Sequence, residues 1–483
     1  MRKVELAKIA CMAAVFCVAT AVASPAQTFT TLANFNGSNG QNPYLATLVQ
    51  GTDGNFFGTT ENGGHYGYGE IFAVSPAGAL ARIYSFCAIK FTCPDGETPW
   101  GSVMQAANGK FYGTTPFGGA QGGGTVFELT PAGTLTTLYS FPNGSSPQAT
   151  LVQGFNGYLY GSANFSGVDV YGTIFAVNPA TGTLTTIYTF CSKPHCSDGM
   201  ASGGLALGAN GNFYGTTGTG GTNGGGTVFE LTPSGRLTTL YRLNGSTDGM
   251  GPTSALILAT DGNFYGTASY GGPNTLGTAF KVTPTGEFTN LHSFCSLTNC
   301  ADGAQPSVAL VQGTDGNLYG TTPLGGTGGI ADCPAHCGTA FQLTTSGTLT
   351  TLYNFCSATN CTDGSGPFNG LVQGTDGNFY GATIGGGTGS PTAAGVIYSL
   401  SMGLGPFVRT NPGFGRTGQV VSILGNNLTD TTSVSFNGVS ATFTVVSGTY
   451  IKATVPASAT SGTIEVTTGS GVLSSNVAFS VLP

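Results

Sequence analysis

Ten of the twelve cysteines in this 483-residue chain fall into five close pairs: Cys87/Cys93, Cys191/Cys196, Cys295/Cys300, Cys333/Cys337 and Cys356/Cys361. An even count at such regular spacing reads as disulfides, each closing a small loop. The rival chemistry is metal binding, strongest at Cys333-Pro334-Ala335-His336-Cys337. That spacing fits neither a C-x-x-C site nor the C-x-x-C-H of haem attachment, so no metal is expected. The carboxylates offer a second chemistry, because glycoside hydrolysis needs two of them about 5 to 10 Å apart. Glu61, Asp95, Glu97, Asp169, Asp198, Asp302, Asp332 and Asp363 all stand in segments expected to be loops. Five acids, Asp95, Asp198, Asp248, Asp302 and Asp363, share one context: an Asp-Gly step shortly before a strand. Such repetition within a chain points to a structural turn. Calcium is the runner-up for these acids, although no D-x-D-x-D-G ladder is present, and no cofactor is expected. The four histidines, His65, His195, His292 and His336, are scattered, so no triad or metal cluster is visible.

Rings make the third chemistry. His65, Tyr66, Tyr68, Phe91, Trp100, Phe117, Phe165, Tyr171 and Tyr270 lie among Asn, Thr and Gly, where they could stack on sugar faces while amides bond hydroxyls. The plainer account is that they cover the mouths of packed interfaces.

What must position these groups is a repeat. GTDGNFYGAT at 374–383 has six relatives, and the aromatic-Gly step recurs at Gly58, Gly113, Gly161, Gly215, Gly266, Gly320 and Gly381. A period near fifty residues matches propeller blades better than helical solenoids. Over 101–141 four strands are expected: Gly101–Gln105, Lys110–Thr115, Gly124–Thr130 and Thr134–Phe141. Each is rich in β-branched and aromatic residues and bounded by Gly, Pro or Asn. Asn-Gly or Asp-Gly joins the first two strands, and Pro-x-Gly joins the last two in most copies. The seventh copy lacks a fourth strand, and an orphan one, Thr28–Phe35, precedes the first copy. Pairing the two removes an open edge and closes the ring. The expectation is an all-β chain: a seven-bladed β-propeller over 28–400 closed by its N-terminal strand, a linker over 401–406, and a β-sandwich over 407–483. The tight turns then open on one face, and the cysteine pairs and variable loops on the other. That variable-loop face is the candidate binding face. Glu128 and Glu230 share a third-strand slot filled elsewhere by Ala73, Ala176, Lys281, Gln342 or Ser399, which reads as solvent-facing.

The ordered phrase Leu-Thr-Thr-Leu-Tyr-Ser-Phe, Leu-Val-Gln-Gly, Thr-Asp-Gly-Asn-Phe-Tyr-Gly-Thr-Thr and Gly-Thr-Val-Phe-Glu-Leu-Thr-Pro resembles the GloVer tandem repeat of bacterial "choice-of-anchor" surface proteins. About three quarters of the chain carries it. The resemblance implies export and surface display and implies no catalytic activity. In the last segment, Ile423-Leu-Gly-Asn-Asn-Leu, Val434-Ser-Phe-Asn-Gly-Val, Ala453-Thr-Val-Pro and Ser461-Gly-Thr-Ile-Glu-Val resemble the IPT/TIG immunoglobulin-like family. Such domains imply spacing or interaction at surfaces.

Arg2, Lys3 and Lys8, the apolar run Ile9–Ala23 and Ala21-Val22-Ala23 read as a secretory signal peptide over 1–26. No other stretch is long and apolar enough to span a bilayer. Without that leader the chain stays mildly acidic, only 7% of all residues being charged. No basic patch exists to attract nucleic acid or an anionic membrane. The expectation is an exported monomer, extracellular, at the cell surface or in the periplasm. It binds polysaccharide or another surface polymer without catalysis. A purely structural protein ranks second, and a polysaccharide hydrolase or lyase using loop carboxylates third.

Overall fold

The computed structural model describes residues 27–483 apart from 46, 90, 165–170, 329–336 and 389–393. The expected leader over 1–26 therefore lies outside the described residues, as do Phe165, Asp169, Asp332, Cys333 and His336. Strand makes up 47% and helix 3%, which settles the class as all-β.

The phrase Phe-Tyr-Gly-Thr-Thr explains most of the packing. Alternate residues of a strand face opposite sides of its sheet, so Phe and Tyr of one strand address two different neighbours. Phe56 stacks on Tyr380 at 4.0 Å and Phe264 on Tyr214 at 4.0 Å, while Phe213 meets Tyr160 and Phe379 meets Tyr319 in tilted pairs at 4.1 Å, each pair joining adjacent sheets. Such pairs contribute about 0.5–1.5 kcal/mol beyond their buried area. The glycine that follows is required by close approach. A Cβ at Gly113 would stand 2.5 Å from Phe127 Cζ, because the third-strand phenylalanine lies across the second strand there.

Each copy of the repeat makes one four-stranded antiparallel sheet. The first comprises Val49–Gln50, Phe56–Thr60, Glu70–Val74 and Leu80–Ser85, and the second Met104–Gln105, Phe111–Thr115, Gly122–Leu129 and Leu135–Pro142. The seventh takes Val372–Gln373, Phe379–Ala382 and Val396–Ser401 from its own copy and Thr28–Asn34 from the other end of the repeat region. That pairing is antiparallel, running from Thr28 opposite Ser401 to Asn34 opposite Val396, with a bulge between Thr31 and Ala33. In six of these sheets the first strand is only two residues long; the fourth, Met200–Leu207, is the long one. The five-residue strand expected from Gly101 shrinks because its beginning serves the neighbouring sheet: Gly101 O accepts a bond from Thr59 Oγ1 at 3.1 Å.

Core lies between sheets rather than within one. Phe57, Ile71 and Phe86 pack on Val103, Phe111 and Phe127, joining the first sheet to the second. Similar clusters join each sheet to the next, and Val372, Tyr380 and Ile397 of the seventh pack on Leu48, Phe56 and Phe72 of the first. The interfaces thus form a closed series.

Beyond Gly405, two further four-stranded sheets share one core of Val421, Ile423, Ile451, Val434, Phe436, Ile464 and Val466. Period-two alternation in the sequence predicts strands over Ser433–Phe436 and Tyr450–Val455, which form over Ser433–Phe436 and Tyr450–Thr454; it does not predict Arg409–Asn411, Phe414–Arg416 and Gly471–Ser474, which are short and lack alternation. This unit sits on the tight-turn side of the repeat sheets. Thr449 Oγ1 donates to Thr52 O at 3.1 Å, Phe407 N donates to Thr375 O at 3.0 Å, and the Phe414 ring meets Phe155 at 4.7 Å.

Candidate functional site

Four disulfides, Cys87–Cys93, Cys191–Cys196, Cys295–Cys300 and Cys356–Cys361, close the loops that follow fourth strands. The fifth expected pair, Cys333/Cys337, lies partly outside the described residues. Each disulfide loop is then laced to the next sheet by one carbonyl. Cys93 O accepts from Gly119 N at 2.8 Å, Cys196 O from Gly221 N at 2.9 Å, Cys300 O from Gly326 N at 2.8 Å and Cys361 O from Gly387 N at 2.9 Å.

The Asp-Gly acids bond within the loops that follow fourth strands, four of them in the disulfide loops and Asp248 in a loop without cysteines. Asp198 Oδ2 accepts from Tyr188 Oη at 2.7 Å, Ser192 Oγ at 2.9 Å and Ser192 N at 3.1 Å. Asp363 Oδ2 takes Tyr353 Oη at 2.7 Å and Ser357 N at 2.9 Å, and Asp95 and Asp248 repeat the arrangement with Tyr84 and Tyr241. At Asp302 the tyrosine is replaced by His292, at 3.1 Å. Burial raises the partner tyrosines, and the carboxylate beside each raises them further, Tyr188 and Tyr241 to about 12. Burial also works to raise Asp302, but bonds from Ser296, Leu297 and His292 outweigh it and hold the acid below its ordinary value. With these donors in place such an acid braces its loop through Oδ2, while Asp95 Oδ1 and Asp363 Oδ1 are buried without a partner.

One slot departs from the rest. Thr125, Thr227 and Thr339 hold one equivalent slot of third strands, facing the last residue of the second-strand phrase, and pair with Thr115, Thr217 and Thr322 at 2.9–3.0 Å. In the first sheet the same slot is Glu70, 1% exposed, and neither carboxylate oxygen has a hydrogen-bond partner. Burial pushes this acid up to about 7, against a smaller lowering by Arg82. It is wedged between loop glycines; a Cβ at Gly64 would stand 2.8 Å from Glu70 Oε2.

The expected ring set divides on inspection. Trp100 and Phe117 meet edge to face at 5.5 Å. Trp100 also faces Tyr44 at 6.3 Å, and Tyr44 faces Phe368 at 5.6 Å. The result is an aromatic arc over the seventh, first and second sheets, its Trp100 Nε1 without a partner. Tyr44, Trp100 and Phe368 each follow a proline just before a first strand and are half-buried, whereas Phe117 is 42% exposed. Tyr270, 49% exposed, lies near enough that its charge adds to burial and Glu61 in raising Tyr44. Glu97, raised by burial, pairs its backbone with Phe117. Outside the arc, His65 and Tyr66 contact each other at 4.6 Å, with His65 N bonded to the fourth-strand Ser85. Tyr68 lends its carbonyl to Thr98 N, Tyr171 lends its own to Ala201 N, and Phe91 is 97% exposed beside its disulfide. Sequence reading missed Tyr44 and Phe368; the shared Pro-aromatic step was the signal that could have found them.

Glu128 and Glu230 correct another expectation. Their slot is half-buried rather than solvent-facing, because it partners the second-strand tyrosine: Tyr112 Oη donates to Glu128 at 2.8 Å and Tyr214 Oη to Glu230 at 3.0 Å. Where the tight turn carries Asp, as at Asp261, Asp315 and Asp376, that acid accepts from Tyr265, Tyr319 and Tyr380 instead.

Comparison with known proteins agrees with this picture. The model of the Gloeobacter/Verrucomicrobia repeat matches residues 18–202 and 191–398, and that of the IPT/TIG domain matches 408–481. No curated protein matches the chain. Among solved structures, virginiamycin B lyase from Staphylococcus aureus is similar at 14% identity and TM-score 0.51, over 78% of this chain and 99% of that one. Oligogalacturonate lyase from Vibrio parahaemolyticus is similar at 11% identity and TM-score 0.45, over 78% and 96%. Periplasmic gluconolactonase from Pseudomonas aeruginosa is similar at 17% identity and TM-score 0.42, over 65% and 85%. At these identities the first likeness concerns the fold alone, which is propeller-like. The other two are too distant to bear on function. No helix among the described residues is long and apolar enough to cross a membrane.

Proposed function

The chain belongs to the Gloeobacter/Verrucomicrobia repeat family and carries an IPT/TIG domain, and on that premise we propose a non-enzymatic, exported protein that binds carbohydrate or another surface polymer. We read its seven repeat sheets as the blades of a seven-bladed β-propeller and its last two as an immunoglobulin-like sandwich. The disulfides and the repeat family point to an extracellular setting. The observation that carries the reading is the arc of Phe368, Tyr44, Trp100 and Phe117 on the variable-loop face. Rings that are half-buried are held rigid while keeping a face for stacking, which limits the ordering cost of binding. Commitment of the five Asp-Gly acids to tyrosine or histidine and to loop backbone amides favours binding over hydrolysis.

The test is incubation of purified protein with a panel of polysaccharides, scoring retention and released sugar together, with and without chelator. Saturable retention without release is the expected result. Release of oligosaccharide would install the hydrolase or lyase reading, and absence of both signals would leave a structural protein.

A further inference from the structure

A second site lies on the opposite face, between the repeat sheets and the C-terminal unit. In five sheets the inner strand carries a glutamine that clamps the turn of the preceding sheet. Gln105 Oε1 accepts from Thr52 N at 3.2 Å, Gln153 from Ala107 N at 3.1 Å, Gln312 from Thr260 N at 2.8 Å, Gln373 from Thr314 N at 3.0 Å and Gln50 from Thr375 N at 3.0 Å. The fourth and fifth sheets place Leu207 and Leu258 in that slot. Both leucines line a cavity of about 780 Å³, together with Phe155 and Ala209, the turn residues that a glutamine would have clamped. Its lining, completed by groups such as Met104 and Phe414, contains no Asp, Glu, Lys, Arg or His.

A smaller cavity of about 330 Å³ adjoins it, sharing Leu258, Gly413, Val477 and Ala478. This lobe is lined by Arg409, Gln312, Gln373 and Asn476 beside aliphatic groups. Arg409 spends one donor on Gln50 O at 3.3 Å, and among the described residues no carboxylate pairs with it. A guanidinium presents five N–H groups, so Arg409, which lines this lobe, keeps donors beyond that one bond. Burial lowers Arg409 only to about 10, leaving it charged at neutral pH.

We propose that these joined lobes bind a small amphiphile with one carboxylate: the head on Arg409, the apolar body against Leu207 and Leu258. A half-buried guanidinium that lines the lobe with no carboxylate paired to it calls for an anion, and a fork geometry favours a carboxylate. An uncharged apolar lobe of this size, within the range of about 300–1,000 Å³ usual for small-molecule sites, calls for hydrocarbon.

The experiment titrates dodecanoate, below its micelle concentration, into the purified full chain by calorimetry, with dodecanol as the neutral counterpart. Dodecanoate should bind saturably at one site, about tenfold or more tighter than dodecanol. Arg409→Gln should bring dodecanoate to the dodecanol level while leaving dodecanol unchanged, and Leu258→Gln should weaken both. Arg409→Lys, which keeps the charge, should retain most of the preference. No saturable dodecanoate binding, or equal affinity of the unaltered protein for acid and alcohol, would overturn the proposal without recourse to any variant. Unchanged dodecanoate affinity in Arg409→Gln would overturn it equally.

Discussion

The two faces of the repeat sheets obey different rules. On the tight-turn face the same local unit is built again and again. The residue opening the turn holds the amide two places on, as when Asp315 Oδ1 accepts from Asn317 N at 3.2 Å, and the second-strand tyrosine bonds back to the turn. On the variable-loop face the loops differ in length and sequence; four are held by a disulfide, an acid and a carbonyl given to the next sheet, and the loop of Asp248 has the acid without the disulfide. The first face is specified within about ten residues of sequence. The second is specified only when sheets meet, so it is free to vary in what it presents.

The sharpest way to break this contrast is at Glu70, where the variable face buries an unpaired acid in a slot that is threonine in most other sheets. With an ordinary value of 4.5 and a folded value near 7, the native state holds the proton more tightly than the unfolded chain. Stability is therefore full below pH 4.5 and lost as pH rises through 7. Glu70→Thr should raise stability at pH 8 by about 3 kcal/mol and flatten that slope, read as denaturant midpoints from pH 4 to 8. An unchanged slope would mean that the acid finds a partner in solution. Next in size is Gly113→Val in the repeated scaffold, expected to cost about 2–3 kcal/mol by overpacking against Phe127. A neutral result would show that the second strand has slack that the 2.5 Å approach denies.

Replacing both cysteines of the Cys356–Cys361 loop by serine should cost about 2 kcal/mol, since so short a loop constrains little denatured-state entropy. Hydrogen exchange should rise chiefly within 356–364, leaving the tight-turn face protected. Smallest is Trp100→Ala, which should weaken retention on a bound polysaccharide by about tenfold, or 1.4 kcal/mol, with little change in thermal midpoint. A large fall in thermal midpoint would reassign the arc from binding to core.

How much of this was legible in sequence follows the same division. The all-β class, the strand order within a copy and the pairing of Thr28–Asn34 with Val396–Ser401 could be read because they rest on periodicity and counting. Trp100 and Phe117 stood in the expected set as loop rings. Tyr44 and Phe368 did not, for they belong to opposite ends of the repeat region and become neighbours only when the series of interfaces closes. The Glu128 and Glu230 slot looked indifferent across copies because its partner varies too. Five of the second-strand tyrosines meet an acid, supplied from the turn at Asp261, Asp315 and Asp376 and from the third strand where the turn offers Asn108 or Asn210, whereas Tyr160 meets only Asn156. Leu207 and Leu258 were invisible for another reason: a leucine in an apolar strand attracts no notice until the missing glutamine leaves space beside it.

The seventh sheet has a consequence in time. Its outer strand, Thr28–Asn34, is synthesised before any other strand described here, yet the strand it pairs with, Val396–Ser401, comes last of the repeat region. A chain made from its N-terminus has no partner for that first strand until about 360 residues have followed it, the distance from Asn34 to Val396. Completion of the last repeat is thus the event that locks the whole series, and a chain halted earlier is left with two unsatisfied edges rather than a shorter ring.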